Sequence, residues 1–317
     1  MSLRIAVQMD PIDTLLVERD TSLALMNAAQ ARGHEVHWFH PSDLWWDTGV
    51  LSARAHHVRV SEDPAAHYAT LASAVRPVSD FDVVLIRQDP PFDMGYVSNT
   101  YLLEFAGPRT LVINHPRGVR DISEKIATLR YPHLLAATFV GRNMEAILAF
   151  ARRFDQVVLK PSFFAGGEGV SRGAAGDGDF TAKVAAMLTE VGKEPIIVQE
   201  FIPAVKDGDK RLFVLDGAPI GVVRRMPKAG EFRANLHVGG VAQEGALDAR
   251  DREIAAAVAP LLAEKGVVFA GLDVIDGRLT EINVTSPTLV RELMRFSRID
   301  VPRLFWDVVE KRAAARA

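Results

Sequence analysis

The residues best suited to chemistry are two carboxylates and an amide near the C-terminus, Asp273, Glu281 and Asn283. They flank Asp276-Gly277, a residue pair that strongly favours a tight β-hairpin. If the hairpin brings all three to one face, their oxygens converge, and like charges so placed repel unless a cation lies between them. Hard oxygen ligands of this kind suit Mg²⁺ that also holds phosphates. A solvated hairpin face with ordinary acids is the alternative.

The loop length of this hairpin decides which residues share a face. A two-residue turn would set Asp273 opposite Thr280 and send Glu281 to the other face. A three-residue loop over residues 275–277, with Gly277 left-handed, keeps the carboxylates and the amide together. It also gathers apolar residues on the opposite face, as a half-buried sheet requires. These residues are Leu272, Val274, Ile282 and Val284. We therefore predict the three-residue loop.

A second candidate is a lysine followed by a loop dense in glycine. Lys160 follows an apolar run that reads as a buried strand, and the glycine loop comes next at residues 165–169. The lysine can meet a phosphate as a point charge, while Gly166 and Gly167 let backbone N–H groups approach it closely. The loop is not a P-loop, since no Gly-Lys-Ser/Thr follows, and a surface lysine beside a flexible loop is the alternative. Lys125, expected on a helix, is a weaker candidate.

An apolar strand that runs into an acid and an aromatic residue is a candidate nucleotide wall. Gln199, Glu200, Phe201 and Ile202 make up its end. Such a segment can offer backbone groups and an apolar surface to a purine. An ordinary edge strand is the alternative.

Three arginines complete the set of candidates. Arg211 leaves a charge-rich segment and enters a predicted strand, where its side chain can point inward, while Arg225 and Arg233 lie on either side of residues 228–230. Arginine can clamp a carboxylate or phosphate with two hydrogen bonds and stabilise the charge that develops on a phosphoryl group. A solvated turn is the alternative for the charge-rich segment. In chain order, these candidates form the set that activates a carboxylate with ATP.

Length and composition bound the class of protein. The chain has 317 residues, 48% hydrophobic and 24% charged, with a net charge of −3 and no cysteine. This composition is that of a globular protein with two or three domains, and it lacks the basic patch that nucleic-acid binding requires. Disulfides, a thiol nucleophile and a cysteine-ligated metal are excluded. We expect no signal peptide and no membrane span.

The order of predicted elements indicates two domains. Strands near residues 3–9, 36–39, 83–86 and 111–114, with a helix capped by Asp20, predict an open, mainly parallel α/β sheet. Asp10-Pro11 follows the first strand where a dinucleotide fingerprint would need glycines. Beyond residue 121, mixed strands, glycine loops and helices predict an α+β body in two parts. We expect domains at 1–121 and 122–317, the second divided into a lid at about 122–200 and a catalytic part at about 201–317.

Several segments together resemble the bacterial glutathione synthetase family of the ATP-grasp superfamily, over essentially the whole chain. The segments are Met9-Asp10-Pro11, residues 87–93, Arg120-Asp121, Glu124-Lys125, residues 206–211, Arg225-Met226-Pro227 and residues 280–288. The last, T-E-I-N-V-T-S-P-T, is long and highly specific. The resemblance implies a pre-ATP-grasp N-terminal domain followed by an ATP-grasp domain with a glycine-rich lid.

The resemblance also implies a role for each candidate residue. The implied ATP-binding residues are Lys125, Lys160, Gly166, Gly167, Gln199, Glu200, Phe201, Ile202 and Asp209. The implied metal ligands are Asp273, Glu281 and Asn283. The implied catalytic residues are Arg211 and Arg225. The implied substrate-binding residues are Arg233, Asn235, Ser286, Pro287 and Thr288.

The implied reaction joins γ-glutamylcysteine to glycine and releases ADP and phosphate. ATP phosphorylates the peptide carboxylate, and glycine's amine attacks the acyl phosphate. The implied cofactors are ATP and Mg²⁺, with Mn²⁺ as an alternative metal. The family also implies a homo-oligomer, often a homotetramer. The lack of cysteine fits a cytoplasmic protein, and charge and hydropathy give no reason to expect a nucleic-acid or membrane partner. No general base is evident in the sequence.

The lid departs from the family pattern. After Lys160-Pro161 the family usually has leucine, aspartate, glycine and methionine before two glycines, whereas this chain has Ser162-Phe163-Phe164-Ala165. Gln88 replaces a usual lysine, and Glu200 replaces a usual asparagine. Two alternatives therefore stay open: a ligase of the same chemistry with another acceptor, and a nucleotide-binding protein that has lost catalysis.

Overall fold

The computed structural model describes residues 2–316, which form three β-sheets and eight α-helices. The N-terminal sheet consists of β1 (Arg4–Gln8), β2 (Glu35–Phe39), β3 (Leu44–Asp47), β4 (Val50–Val60), β5 (Tyr68–Pro77), β6 (Val83–Ile86) and β7 (Leu111–Ile113). Strands β2, β1, β6 and β7 pair in parallel in that order. They confirm the predicted parallel α/β sheet. Strands β3, β4 and β5 add an antiparallel extension that the sequence analysis did not predict.

Helices cover the N-terminal sheet and begin at polar caps. They are α1 (Thr21–Ala31), α2 (Met94–Leu103) and α3 (Pro116–Asp121). Asp20 caps α1 as predicted, because its carboxylate accepts a hydrogen bond of 2.6 Å from the Leu23 N–H and so satisfies one of the free N–H groups of the first turn.

The second sheet is small and antiparallel. Its strands are β8 (Thr138–Gly141), β9 (Val157–Pro161), β10 (Ser171–Gly173) and β11 (Ile196–Glu200), in the order β10-β9-β11-β8. Helices α4 (Met144–Ala151) and α5 (Phe180–Glu190) pack their apolar sides against one face, around the fully buried Phe180. The other face is free to border a site, and it carries Lys160 and Gln199 on neighbouring strands.

The third sheet carries most of the candidate residues. Its strands are β12 (Asp209–Leu215), β13 (Ala218–Met226), β14 (Val241–Glu244), β15 (Phe269–Ile275) and β16 (Arg278–Asn283), in the order β14-β13-β12-β15-β16. One face packs on α6 (Ala249–Glu264). The other joins a core shared with the N-terminal sheet, α7 (Val290–Ser297) and α8 (Val301–Ala314). The mixed α/β and α+β architecture agrees with the prediction. None of the helices within residues 2–316 is long and apolar enough to cross a membrane.

The β15–β16 hairpin corrects the predicted loop. Its turn has two residues, Asp276 and Gly277, both with positive φ (49° and 67°), as a type I′ turn requires. A bulge at Thr280 then shifts the pairing, so that Asp273 lies directly opposite Glu281. The three-residue loop was wrong, but the bulge has the same effect on the faces. The apolar residues of the opposite face are buried together, as predicted: Leu272, Val274, Ile282 and Val284.

Candidate active site

A cavity of about 90 Å³ lies between the second and third sheets. Strands β9 and β11 form one wall, and strands β12, β13, β15 and β16 form the other. Twelve of the residues predicted for the site line it. They are Lys160, Gly167, Gln199, Glu200, Phe201, Ile202, Asp209, Arg225, Arg233, Asn235, Asp273 and Glu281.

One end of the cavity is apolar. Val158, Phe201, Ile202 and Val205 line it, and Phe201 meets the ring of Phe232 edge to face at 6.2 Å between centroids. Strand β11 ends here, so its backbone groups border this apolar space. An apolar pocket of this kind suits a flat heterocycle.

Two lysines lie at or beside the cavity. Lys160 Nζ donates to Gln199 Oε1 at 2.9 Å, and burial lowers the pKa of Lys160. Lys125 does not line the cavity; it lies at the start of a short 3-10 helix (Ile126–Arg130), where we had expected an α-helix. Its Nζ is 3.8 Å from Glu281 Oε1 and donates to the Phe164 carbonyl of the glycine loop at 2.5 Å. Lys125 therefore links the glycine loop to the hairpin.

Buried arginines and aspartates form a network at the floor of the cavity. Arg225 donates to both oxygens of Asp209, at 2.5 and 2.7 Å, and contacts Asp273 at 2.9 Å. Arg211 holds Asp273 through two further bonds of 2.6 and 3.1 Å, outside the cavity lining. Burial opposes ionisation of Asp273, but Arg211 and Arg225 hold its pKa well below the usual value. Burial raises the pKa of Asp209, although Arg225 opposes this.

The hairpin offers a donor set that suits a hard cation. A carboxylate has about four lone-pair positions, and arginines take three of them on Asp273. Glu281 faces Asp273 across the strands. Asn283 donates its amide N–H to the Gly271 carbonyl at 3.3 Å, and among the described residues its amide oxygen accepts no hydrogen bond. Carboxylate and amide oxygens are the type of ligand that Mg²⁺ prefers, but within residues 2–316 no three acidic or histidine side chains are grouped so as to hold a metal ion. The role of these residues as metal ligands stays a prediction.

Glu124 is a third acidic residue beside the hairpin, in addition to Asp273 and Glu281. It was not among the predicted site residues. The Ile282 N–H donates to the Glu124 carbonyl at 2.8 Å, which brings the acid beside the hairpin. Burial first, and then the charge of Glu281, raise the pKa of Glu124 to about 7. The only sequence signal was its position before Lys125 in a family-like segment.

The glycine loop at residues 165–169 lies against the loop that follows β13. Gly166 and Gly167 have positive φ (63° and 82°). Arg233 donates to the Gly167 carbonyl at 3.1 Å, and a Cβ at Gly167 would lie only 2.7 Å from the Asn235 side-chain oxygen. Glycine is thus required by both conformation and close approach. Gly166 lies beside His237 rather than on the cavity lining.

The predicted substrate loop lies apart from the cavity. Ser286, Pro287 and Thr288 are absent from its lining. The Ser286 hydroxyl donates to the Arg87 carbonyl at 3.2 Å, and Arg87 donates to the Pro287 carbonyl at 3.2 Å. The loop therefore contacts the end of β6 in the N-terminal sheet, and its role in substrate binding stays a prediction.

Comparison with known proteins identifies the family. The N-terminal domain of prokaryotic glutathione synthetase matches residues 3–120, and the ATP-grasp domain of the same family matches residues 124–298. Glutathione synthetase from Brucella melitensis is 42% identical over 98% of this chain and 100% of its own, and that of Mesorhizobium japonicum is 41% identical over 98% and 99%. A crystal structure of D-cycloserine synthetase shares the fold, with a TM-score of 0.68 at 17% identity over 98% of this chain and 99% of that one. The chain belongs to the prokaryotic glutathione synthetase family, as its motifs indicated.

Proposed function

We propose that the protein is an ATP-dependent ligase that joins γ-glutamylcysteine and glycine to form glutathione, ADP and phosphate. The observation that carries the proposal is the pairing of Asp273 with Glu281 at a cavity that also presents Lys160 and Arg225. Its relatives named glutathione synthetase match this chain from end to end. The site and the family thus support the same reaction.

Apolar, basic and acidic residues of the site bind different parts of ATP and its metal ion. The apolar end of the cavity takes the adenine of ATP, with Gln199 to Ile202 beside it and Asp209 near the ribose. Lys125 and Lys160 bind the phosphates, with the backbone of Gly166 and Gly167 above them. Mg²⁺, or Mn²⁺ in its place, would be held by Asp273, Glu281 and Asn283 and would neutralise charge on the phosphates.

The arginines act on the reacting carboxylate. Arg225 stabilises the charge that develops as the peptide carboxylate attacks the γ-phosphorus, and Arg211 keeps Asp273 ionised beside it. Arg233, Asn235 and the loop Ser286-Pro287-Thr288 orient the peptide. The amine of glycine then attacks the acyl carbon and expels phosphate. Catalysis is thus positioning and charge stabilisation.

We also propose the domain bounds, the cellular compartment and the oligomeric state of the protein. The N-terminal domain covers residues 1–121 and the ATP-grasp domain 122–317, with the lid at about 122–200 and the catalytic part at about 201–317. The protein works in the cytoplasm as a homo-oligomer, in line with the family implication of a homotetramer. Its partners are the small-molecule substrates.

A second candidate is a ligase with another acceptor, favoured by the lid. Phe163 and Phe164 occupy positions where the family usually has an acid and a glycine, and the Phe164 carbonyl accepts a hydrogen bond from Lys125. A bulkier lid this close to a phosphate-binding lysine can change which acceptor fits.

A panel of acceptors tests the proposal. Purified protein with ATP and Mg²⁺ is assayed for ADP release with γ-glutamylcysteine plus glycine, and with pairs in which either compound is replaced by another peptide or amino acid. The highest kcat/KM for γ-glutamylcysteine plus glycine is expected. A better alternative pair would favour the second candidate, and no ADP release with any pair would indicate a protein that has lost catalysis.

A further inference from the structure

Asn114 connects the N-terminal sheet to both strands of the acidic hairpin. It follows β7 and is 4% exposed. Its amide nitrogen donates to the carbonyls of Phe269 and Val284 at 2.8 and 2.7 Å. Its amide oxygen accepts from the N–H groups of Val268 and Phe269 at 2.9 and 3.0 Å. All four hydrogen bonds reach the main chain where β15 begins and just after Asn283, so the side chain is fully used.

Arg87 makes a second connection from the neighbouring strand. It follows β6 and is 7% exposed. It donates to the Ser22 hydroxyl at 2.9 Å and to the Pro287 carbonyl at 3.2 Å, while its own carbonyl accepts from Ser286. Asp20 and Asp89 lie near enough to offset part of the cost of burying this guanidinium, but neither forms a direct ion pair with it. The cost is consistent with a role in fixing the segment it contacts.

The two side chains hold one continuous segment. Strands β6 and β7 are parallel neighbours, so their carboxyl ends meet at the same edge of the sheet. From that edge, Asn114 holds Val284, and Arg87 holds residues 286 and 287. This segment directly follows Glu281 and Asn283. These hydrogen bonds therefore tie the position of the hairpin and of the loop after it to this edge of the N-terminal sheet.

We infer that Asn114 and Arg87 are positioning residues of the ligase: they set where the hairpin carboxylates and the loop at residues 286–288 lie relative to the substrates. The inference rests on the proposed function. Asn114 acts on the hairpin, so its loss affects the chemical step and the response to Mg²⁺. Arg87 acts on the loop, so its loss affects binding of the peptide.

The test compares two variants with a matched control. Asn114→Leu removes four bonds to the hairpin, and Arg87→Gln removes the contact with Pro287. Arg32→Gln is the control, because Arg32 also joins the N-terminal part to α8, through bonds to the Arg303 carbonyl, Asp307 and Glu310, at the far end of α1. For each protein we would measure kcat, KM for γ-glutamylcysteine and for ATP, the Mg²⁺ concentration for half-maximal activity, and the melting temperature.

The expected results differ between the variants. Asn114→Leu should lower kcat at least about 10-fold and raise the half-maximal Mg²⁺ concentration, since a misplacement of about 1 Å can cost about 100-fold. Arg87→Gln should raise KM for γ-glutamylcysteine about 10-fold, the size expected for one hydrogen bond to a charged group, and leave KM for ATP unchanged. Arg32→Gln should lower only the melting temperature.

Other results would overturn the inference. If both variants only lower the melting temperature, as the control does, the contacts are structural. If Asn114→Leu does not fold, Arg87→Lys carries the test, and an unchanged KM for γ-glutamylcysteine in that variant would refute the inference. An inactive wild-type protein would contradict the proposed function itself. An active wild-type protein whose variants keep the same kinetic constants would refute only the inference about Asn114 and Arg87.

Discussion

Replacing Arg225 with methionine should damage both stability and catalysis, and a second substitution should separate the two effects. Arg225 is 4% exposed in its side chain and joins Asp209, which is 10% exposed, to Asp273, which is 3% exposed. Arg225→Met leaves Asp209 without its partner, while Asp273 keeps Arg211. Breaking a buried pair from one side costs about 3–5 kcal/mol. We expect a loss of unfolding free energy in this range.

The double variant Arg225→Met/Asp209→Leu should recover most of that loss. Replacing both partners of a buried ion pair with apolar residues is often neutral or stabilising. Turnover should not recover, because the charge on the phosphoryl group stays unopposed. Loss of one such group costs about 100- to 1,000-fold in kcat. The double variant therefore has near-native stability and low activity.

Urea unfolding followed by circular dichroism gives the stabilities, and ADP release at saturating ATP gives kcat. Saturation is needed because Asp209 is also expected near the ribose. Arg225→Lys serves as the matched control, since it keeps a charge but cannot hold both aspartates in the same way. Recovery of turnover in the double variant, or near-normal kcat in Arg225→Met, would refute the assignment of Arg225.

Three further predictions follow from the same site. Glu281→Gln should abolish Mg²⁺-dependent ADP release with little loss of stability, since the lost attraction to Lys125 at 3.8 Å is offset by removal of the charge that repels Glu124. Near-normal activity would break the metal assignment. Burial lowers the pKa of Lys160, so this lysine loses its charge at a lower pH than an ordinary lysine does. Nucleotide affinity, measured by titration with a fluorescent ATP analogue, should therefore fall as the pH rises, and the fall should begin below the pH at which an ordinary lysine titrates. Lys160→Arg should remove that fall, and an equal fall in both proteins would exclude Lys160. The lowered pKa of Asp273 contributes stability that is complete above its unfolded pKa of about 4 and is lost as the pH falls through the native pKa. Asp273→Asn should therefore flatten acid unfolding, and an unchanged acid transition would contradict the ionised state of Asp273.

The hairpin illustrates what the sequence could predict and what it could not. The pattern of apolar residues required Asp273 and Glu281 to share a face, and they do. It could not distinguish a three-residue loop from a two-residue turn with a bulge at Thr280. Each adds one residue between the strands, so each turns the same side chains toward the cavity.

The N-terminal sheet was only partly predictable. Its parallel strands are short and apolar, as fully buried strands must be. Strand β5 has few large apolar residues and is mostly exposed, so a pattern of burial gave no signal for it. Strand β4 alternates small or apolar residues with polar ones, and its alanines and histidines obscure the period.

Long-range contacts explain the residues that were missed. Glu124 reaches the hairpin only because the Ile282 N–H binds its carbonyl, and Asn114 reaches it from the end of a different sheet. The one sequence signal for Glu124 was its neighbour Lys125, which contacts Glu281, and no neighbour of Asn114 in the sequence was a candidate for the site. Such residues become visible only when the fold brings distant segments together.

The most direct test of the central claim follows one oxygen atom. γ-Glutamylcysteine labelled with ¹⁸O in its cysteinyl carboxylate is converted with ATP, Mg²⁺ and glycine, and the released phosphate is analysed by mass spectrometry. If the carboxylate attacks the γ-phosphorus and glycine then expels phosphate, one labelled oxygen leaves with each phosphate and the other stays in the new amide. Phosphate without the label would contradict activation of the carboxylate by ATP.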